Sequence, residues 1–358
     1  MAKKIVSVLL LLVVAAAVGW LFVCVRPSAS PVGGFYTGKL ADGHAIQLTM
    51  ITADAQPKIL AQIEGNPYSV TLDLKTNTER QLEFDCGPYS EAERWSVTGL
   101  TLEKSDLPAI LNGRVFTPSA TNGLAYTATK VATMEKFSRE IGVHVLHRGG
   151  GKTFTATWPG FRDGVPFHEL LSQRFAADAR GEAGTFTTGS FSVMWEGFKD
   201  GGASWDWEGS LDVRIVWLAT NLVSLCENRY EFSGGAHGES IFVGRNFLLA
   251  GGKAREFGLP ELFRTDADWT NVLSAACLRE LRAQKAAFTL DTADPSFKVK
   301  GFSAADLASF NVDGSGLIIH FSDYAVAPHA EGLFDVLLPW PELKPLLAPD
   351  GPARQFLK

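Results

Sequence analysis

The sequence predicts an α+β protein in which a membrane helix precedes the folded region. Three observations predict this class: an uncharged stretch at residues 5–25, alternation of apolar and polar residues between 35 and 131, and helical spacing of apolar residues further along the chain. Alternation indicates strands with one buried face, whereas spacings of three and four residues indicate helices. The expected order is an N-terminal membrane helix, an antiparallel β-domain, and then a mixed domain of antiparallel strands with packed helices.

The composition is that of a folded protein with more than one domain. The chain has 358 residues, of which 46% are hydrophobic, and its formal net charge is -6. Such a chain can bury substantial cores. It has no cluster of Lys and Arg able to neutralise a run of phosphates, so we expect no nucleic-acid partner.

The N-terminal segment predicts the topology. Residues 5–25 would span about 30 Å of hydrocarbon as a helix, either as a transmembrane helix or as a signal anchor. Lys3 and Lys4 precede this segment, and the positive-inside rule then places residues 1–4 in the cytoplasm. We expect a single-pass protein of the bacterial inner (cytoplasmic) membrane, with its ectodomain in the periplasm or outside the cell.

Two alternatives to the anchor are open. A signal peptide could be cleaved after the small residues that end at Ser30, but Pro31 hinders cleavage there. A lipoprotein would need a small residue where Val23 precedes Cys24. Residues 26–34 are rich in Pro, Ser and Gly and are predicted to form a linker.

Residues 35–131 are predicted to form the antiparallel β-domain. The Asp42-Gly43 dipeptide separates two strand-like runs and favours a tight hairpin turn. The residues whose alternation predicts a buried face are Ile46, Leu48, Met50, Val70, Leu72, Leu74, Leu82, Phe84, Cys86, Trp95 and Val97. We find no catalytic cluster in this region and interpret it as a spacer or recognition module.

Helices are predicted in the second half of the chain. Phe167, Leu170, Leu171 and Phe175 share helical spacing, and all four are expected to face a core. A second helix is predicted to start at Thr265, with Asp268 completing a capping box. A shorter helix is predicted to start at Ser303, with Asp306 in the equivalent role. The segments between them have the pattern of strands.

Three stretches carry a resemblance to a known family. They are YEFSGGAHG, NFLLAGGKAREFGLPELF and GLIIHFSDYAVAPHAEGLFDVLLPWPEL, in that order. The sequence resembles the RsiV-like extracellular domain family (domain of unknown function 3298). The matching positions are Tyr230, 234–238, Asn246, Phe247, Leu262, Phe263, Tyr324, Ala327, Pro328 and Gly332. The resemblance implies an RsiV-like domain at residues 230–350, preceded by its usual companion domain at 132–229.

The resemblance also implies a cell-envelope role. Members of this family are typically anchored in the bacterial membrane or attached to wall enzymes, and the best-known kind is an anti-sigma factor that recognises lysozyme. Only four residues precede the membrane segment here, so we expect no anti-sigma activity, and we expect no deacetylase domain after residue 350. What remains is an outward-facing binding module for a lysozyme-like protein or for peptidoglycan.

The candidate binding surface centres on His237. The flanking glycines permit a positive φ and a close approach, so this stretch could be only a tight turn; the alternatives are a binding loop, or general-base or metal chemistry. Our binding hypothesis joins two segments into one surface. Its residues are Tyr230, Gly234, Gly235, His237, Gly238, Tyr324, Pro328 and His329.

A second candidate surface is aromatic. Trp205 and Trp207 alternate along a predicted strand and share a face, where they could stack on sugar rings or pack in a core. The stretch RGGGKT from Arg148 to Thr153 lacks the first glycine of a phosphate-binding loop.

We expect no metal and no cofactor. His237, His320, His329 and Glu331 are the candidate zinc ligands, but no two of these His residues are four apart on a helix. His144 and His147 would point to opposite faces of a strand. Outside the membrane segment lie Cys86, Cys226 and Cys277, which are either buried small residues or include a Cys226–Cys277 bridge.

Together these patterns predict a membrane-anchored envelope protein that binds a lysozyme-like protein or peptidoglycan glycan, as a sensor or an inhibitor. No nucleophile motif is evident, so we do not expect an enzyme. The alternative is an envelope hydrolase that uses His237 with a carboxylate such as Glu231, with or without a metal. A third interpretation is a structural protein of the envelope without a soluble ligand.

Overall fold

The computed structural model describes most of the chain after residue 29. The described residues are 30–52, 57–64, 70–79, 81–85, 99–103, 109–145, 148–161, 166–189, 206–219, 221–234, 236–250 and 253–357. The predicted cytoplasmic tail at 1–4 and the predicted membrane helix at 5–25 lie outside them. Among the described residues, no helix is both long enough and apolar enough to cross a membrane.

The first eight strands form a closed barrel. Each strand pairs antiparallel with the next, and β1 also pairs with β8, with Phe35 opposite Ala132. The strands are β1 (Ser30–Leu40), β2 (Ala45–Ile51), β3 (Lys58–Ile63), β4 (Val70–Asn77), β5 (Gln81–Asp85), β6 (Gly99–Glu103), β7 (Ile110–Thr117) and β8 (Ala120–Val145). The predicted hairpin at Asp42-Gly43 is confirmed, and Gly43 has φ +96°.

The barrel interior is filled by the alternating residues of these strands. Ile46, Leu48 and Leu72 are fully buried there, as the two-residue period predicts. Closing the sheet removes the free edges that an open sheet would expose. The barrel is therefore a self-contained apolar core.

The sheet continues beyond the barrel through the second half of β8. That strand has 26 residues, and its C-terminal part pairs with β9 (Arg148–Phe161). β9 lies parallel to β10 (Trp207–Leu218), which is followed by the antiparallel strands β11 (Leu222–Phe232), β12 (Glu239–Ala250) and β13 (Lys253–Glu256). A parallel pair needs a long crossover, and here the crossover contains helix α1 (Pro166–Gly189).

Helix α1 covers one face of this extension. Phe167, Leu171 and Phe175 lie one turn apart and are buried against β8, β9 and β10, so the prediction of a helix here is confirmed. Leu170, which the spacing also assigned to the core, is 56% exposed because it lies on the solvent side of the helix. The helix continues to Gly189, beyond the predicted apolar stripe.

A second, smaller sheet covers the other face. It consists of β14 (Phe310–Val312), β15 (Gly316–Phe321) and β16 (Phe334–Pro339), and it packs with α2 (Trp269–Ala283) and α3 (Trp340–Leu343). Side chains alternate along β11: Leu225 lies in the core beside α1, whereas Cys226 contacts Ile318 of the second sheet. The extension is therefore sandwiched between α1 and the second sheet.

Two of the predicted helix starts are wrong. α2 begins at Trp269 with Asp268 as its N-cap, four residues after the predicted start at Thr265. Ser303 and Asp306 do make the hydrogen bonds of a capping box, but a turn follows them instead of a helix. A cap stabilises a helix end and does not supply the apolar stripe that holds a helix in place.

The α+β class is wrong as a whole, since about half of the structure is strand and helices are few. The region predicted as a mixed domain is mainly a continuation of the barrel sheet. Strong apolar stripes identify α1 and α2 correctly, but they represent a small part of the chain. The described part of the protein is mostly β.

A buried polar network joins the two sheets. His320 contacts Asp335 through Nδ1 at 2.6 Å and Asn311 Oδ1 through Nε2 at 2.7 Å. Asn311 Nδ2 donates to the backbone oxygen of Leu225 at 2.7 Å and to Ser224 Oγ at 2.9 Å, which fixes the orientation of its amide. Both ring nitrogens of His320 are therefore held by hydrogen-bond partners. The network fixes how the sheets pack.

Candidate functional site

The stretch SGGAHG is the loop between β11 and β12. Gly234 has φ +101°, which favours glycine at this position. A Cβ on Gly238 would come within 2.4 Å of the Tyr230 ring, so the absence of a side chain there lets the ring pack against the loop. Gly235 lies outside the described residues. Glycine is thus favoured at position 234 by its backbone conformation and at position 238 by the lack of space for a side chain.

His237 is oriented by two hydrogen bonds. Its Nδ1 lies 2.9 Å from the carbonyl oxygen of Gly238, which can only accept, so Nδ1 carries the hydrogen in the neutral ring. Its Nε2 lies 2.9 Å from Tyr324 Oη and therefore accepts the hydroxyl hydrogen of Tyr324. Both ring nitrogens are engaged, and Glu231 is not among the contacts of His237 in the described residues. The His237–Glu231 pair of the hydrolase alternative is not formed in this structure.

The ring of His329 packs against the ring of His237, and Asp323 in turn contacts His329. The rings of His237 and His329 stack with centroids 3.8 Å apart and planes at 7°. His329 Nδ1 lies 3.1 Å from Asp323 Oδ2, and that oxygen also accepts from the backbone nitrogen of Ser240 at 3.0 Å. The side chain of Asp323 is only 3% exposed. This carboxylate ties the segment after β15 to the start of β12.

Tyr324 occupies a strained position at this junction. Its φ is +63°, a value that a tyrosine rarely adopts, and 51% of its surface is exposed. Such strain persists only where the surroundings impose it, and it is common at binding sites. Pro328 is half-buried and caps the turn His329–Glu331, so it shapes the segment that carries His329.

A cleft of about 880 Å³ opens beside His237 and Tyr324. One wall is the C-terminal part of α1, and the floor is formed by the start of β10, the end of β11 and the start of β12. The polar and aromatic side chains that line it include Glu182, Arg229, Tyr230, Glu231, Glu239 and Tyr324. The structure therefore brings the two predicted segments together along one open cleft, while their role in binding stays a prediction.

The cleft contains more acidic than basic groups. The guanidinium of Arg229 lines the cleft. It lies 3.1 Å from the carboxylate of Glu182 and 2.6 Å from that of the buried Glu227. Burial raises the pKa of Glu182, and the nearby Arg229 offsets part of that effect. Glu231 and Glu239 are directly opposite each other on β11 and β12. The sequence analysis did not predict that these two carboxylates lie opposite each other, although Glu231 and Glu239 flank the loop symmetrically.

The predicted glycan-stacking surface is not formed by Trp207. Trp207 is 4% exposed, and Lys152 Nζ lies 4.5 Å from the centre of its ring. The aliphatic and aromatic groups around it form the core beneath α1, which is the core-packing alternative. Trp205 lies outside the described residues, as do His147 and the side chain of His144.

The candidate metal ligands are not assembled into one site. His320 lies in the buried network, and Glu331 Oε2 accepts from the backbone nitrogen of Ala287. Among the described residues, no group of three or more His, Cys, Asp or Glu side chains is arranged to hold a metal ion. Cys226 and Cys277 are free and buried, as the first of the two alternatives predicts, and the Cys226–Cys277 bridge of the other alternative is not formed. Burial raises the pKa of the Cys226 thiol to about 11.

The comparison with protein families is specific for one part of the chain. Residues 260–341 match the model of the family described as "Protein of unknown function (DUF3298)". The chain contains a DUF3298 domain. This domain includes Tyr324, Pro328 and His329, whereas the loop that carries His237 precedes the matched residues. The RsiV-like assignment and the companion domain at 132–229 stay predictions.

One curated relative is similar to part of the chain. The peptidoglycan-N-acetylmuramic acid deacetylase PdaC of Bacillus subtilis is 31% identical over 78 residues, which are 22% of this chain and 16% of that protein. This chain thus spans about a sixth of the length of that relative.

Two solved structures also resemble the chain. A DUF3298 family member from Bacteroides fragilis is 17% identical and covers 64% of this chain and 98% of its own, with a TM-score of 0.45. A DUF3298 family protein from Pseudomonas aeruginosa PAO1 is 18% identical and covers 61% of this chain and 95% of its own, with a TM-score of 0.41.

Proposed function

We propose that the protein binds a glycan of the bacterial cell wall in the cleft beside His237 and Tyr324. The observation that carries the proposal is the cleft itself, whose volume of about 880 Å³ lies in the range of small-ligand sites. Exposed aromatic rings can stack on the apolar faces of sugars, and carboxylates accept hydrogen bonds from sugar hydroxyls. Tyr230, Tyr324, Glu231 and Glu239 provide both kinds of group.

The relative from Bacillus subtilis supports the choice of ligand. Its name states that it acts on peptidoglycan, and it is 31% identical to this chain over 78 residues. The proposed ligand is found at the cell wall, so the proposal includes a location in the periplasm or outside the cell. Binding, rather than turnover, fits a His237 whose two nitrogens are already engaged.

The test is co-sedimentation of the protein with purified, insoluble peptidoglycan. We expect Tyr324→Ala to reduce the bound fraction strongly, because it removes both the exposed ring and the hydroxyl. Phe297→Ala is the matched control, since Phe297 is 62% exposed and does not line the cleft. Equal binding by the Tyr324→Ala and wild-type proteins would show that the cleft is not the glycan site.

The lysozyme-like partner implied by the family resemblance is tested in the same preparation. Immobilised protein is incubated with lysozyme in the presence and absence of soluble wall glycan. Retention that the glycan abolishes would place both ligands at the cleft. Retention that glycan and Tyr324→Ala leave unchanged would indicate a different surface for the protein partner.

A further inference from the structure

The chemistry of the cleft restricts which glycans it can hold. Tyr324 Oη uses its hydrogen in the bond to His237 Nε2, because the hydrogen of His237 is on Nδ1. The hydroxyl of Tyr324 thus retains only acceptor capacity toward the cleft. A ligand group that meets Tyr324 Oη must donate a hydrogen bond.

The guanidinium in the cleft is not available to an anionic ligand. Arg229 donates from Nε and Nη2 to Glu227 Oε2 at 3.2 and 2.6 Å, and its Nη1 lies 3.1 Å from Glu182 Oε1. All three nitrogens face carboxylates of the protein. A carboxylate or phosphate on the ligand would have to displace one of these charge-assisted contacts.

Two carboxylates in the cleft, those of Glu231 and Glu239, have no cationic partner in contact among the described residues. Glu231 and Glu239 are paired across the strands next to the loop, where two like charges destabilise a sheet. In the part of the chain that the structure describes, no Lys or Arg lies at ion-pair distance from either of them. Lys152 interacts electrostatically with Glu231 without forming an ion pair, and its buried Nζ donates to the backbone oxygen of Phe186 at 3.4 Å.

We propose that the cleft selects wall fragments with a primary ammonium group, and that this group is the free amine of a de-N-acetylated amino sugar. This inference rests on the proposed glycan-binding function. The ammonium lies between Glu231 and Glu239 and relieves their repulsion, while the neighbouring sugar hydroxyls donate to Tyr324 Oη. Tyr230 and Tyr324 place aromatic faces beside the cation. The N-acetylated sugar lacks the charge and fits the pair of carboxylates less well.

The experiment compares two soluble tetrasaccharides by isothermal titration calorimetry with the full chain. One is the glucosamine tetramer and the other is the N-acetylglucosamine tetramer. We expect the free-amine form to bind about tenfold more tightly, which corresponds to about 1.4 kcal/mol. We also expect Glu231→Gln and Glu239→Gln each to weaken its binding up to about fivefold, as for other exposed ion pairs. Glu208→Gln is the control, because Glu208 is exposed on the neighbouring strand and does not line the cleft.

The outcomes separate this inference from the proposed function. If the N-acetylated tetramer binds as tightly as the free amine, or if the two Gln variants bind normally, the ammonium assignment is wrong although the glycan site stands. If neither tetramer binds, the proposed function itself fails. A wall tetrapeptide that ends in a diamino acid forms the third arm. Its binding in place of both sugars would overturn the amino-sugar assignment, because the ammonium would then come from the peptide.

Discussion

Asp313→Asn should stabilise the protein at neutral pH and leave it unchanged in acid. Asp313 lies in the turn between β14 and β15, where its Oδ1 accepts from the backbone nitrogens of Ser315 and Gly316 at 2.7 and 2.9 Å. Burial, with a smaller contribution from the nearby Glu64, raises the pKa of Asp313 to about 6. The asparagine keeps the same acceptor oxygen and carries no charge.

The size of the effect follows from the pKa in the folded state. The pKa of Asp313 is raised from 3.8 to about 6, so the stability linked to its protonation is fully present below pH 3.8 and lost as the pH rises through 6. At pH 7.5 the ionised carboxylate then destabilises the fold by up to about 3 kcal/mol. Asp313→Asn should recover much of this free energy.

The assay is urea unfolding of both proteins at about six pH values between about 3.5 and 8. We expect the two unfolding free energies to coincide at the acid end and to separate as the pH rises, with the variant the more stable. Asp291→Asn is the control: Asp291 is exposed, and its hydrogen bond with Lys298 lowers its pKa, so its pH dependence has the opposite sign. Parallel curves for wild type and Asp313→Asn would refute the reasoning.

Three further substitutions test other parts of the structure. Gly238→Ala should displace the Tyr230 ring, destabilise the fold by about 1–3 kcal/mol and weaken glycan binding. The control is Gly181→Ala, which lies in open space on α1 and should stabilise the fold by about 1 kcal/mol. Urea unfolding measures the stability of both variants, and calorimetric titration measures their glycan binding. Asn311→Ala should lower the unfolding free energy by about 2–4 kcal/mol, because it leaves buried polar partners unpaired. Burial lowers the pKa of Lys152, because the charged ammonium is costly to bury. Lys152→Met should therefore raise the unfolding free energy at pH 7 by about 1 kcal/mol. An unfolding free energy below that of the wild type would contradict this cost.

Local features of the fold could be predicted because they depend on residues close in sequence. The Asp42-Gly43 turn needs only one glycine with positive φ, and Phe167, Leu171 and Phe175 define the buried stripe of α1 by their spacing alone. Leu170 shows the limit of this argument. Spacing indicates which residues share a face, but the width of the buried stripe depends on the surface against which the helix packs.

Long-range features could not be predicted in the same way. Pairing of Phe35 with Ala132 closes the barrel, and no local pattern indicates which strands become neighbours. Trp207 is a similar case: alternation indicates the face of the strand, but only the packing of Lys152 and α1 decides that this face is buried. The helix start at Ser303 failed because the side chains of a capping box can form a turn without a helix.

The candidate site was predicted in part. The glycine-flanked His237 and the segment of Tyr324 were joined as one hypothetical surface, and the structure places their side chains 2.9 Å apart. The carboxylates of the cleft and the supporting Asp323 were not predicted. Their positions depend on the register of β11 and β12 and on the docking of the second sheet against β12.

The central claim is that the cleft beside His237 and Tyr324 holds wall glycan. The most direct measurement is photo-crosslinking of a wall tetrasaccharide to the protein, followed by mass-spectrometric mapping of the modified peptides. We predict crosslinks in the segment from Tyr230 to Ile241 and at Tyr324, with loss of both in the presence of excess unlabelled glycan. Competed crosslinks confined to the barrel, or to the apolar groove around Phe302, would contradict the claim.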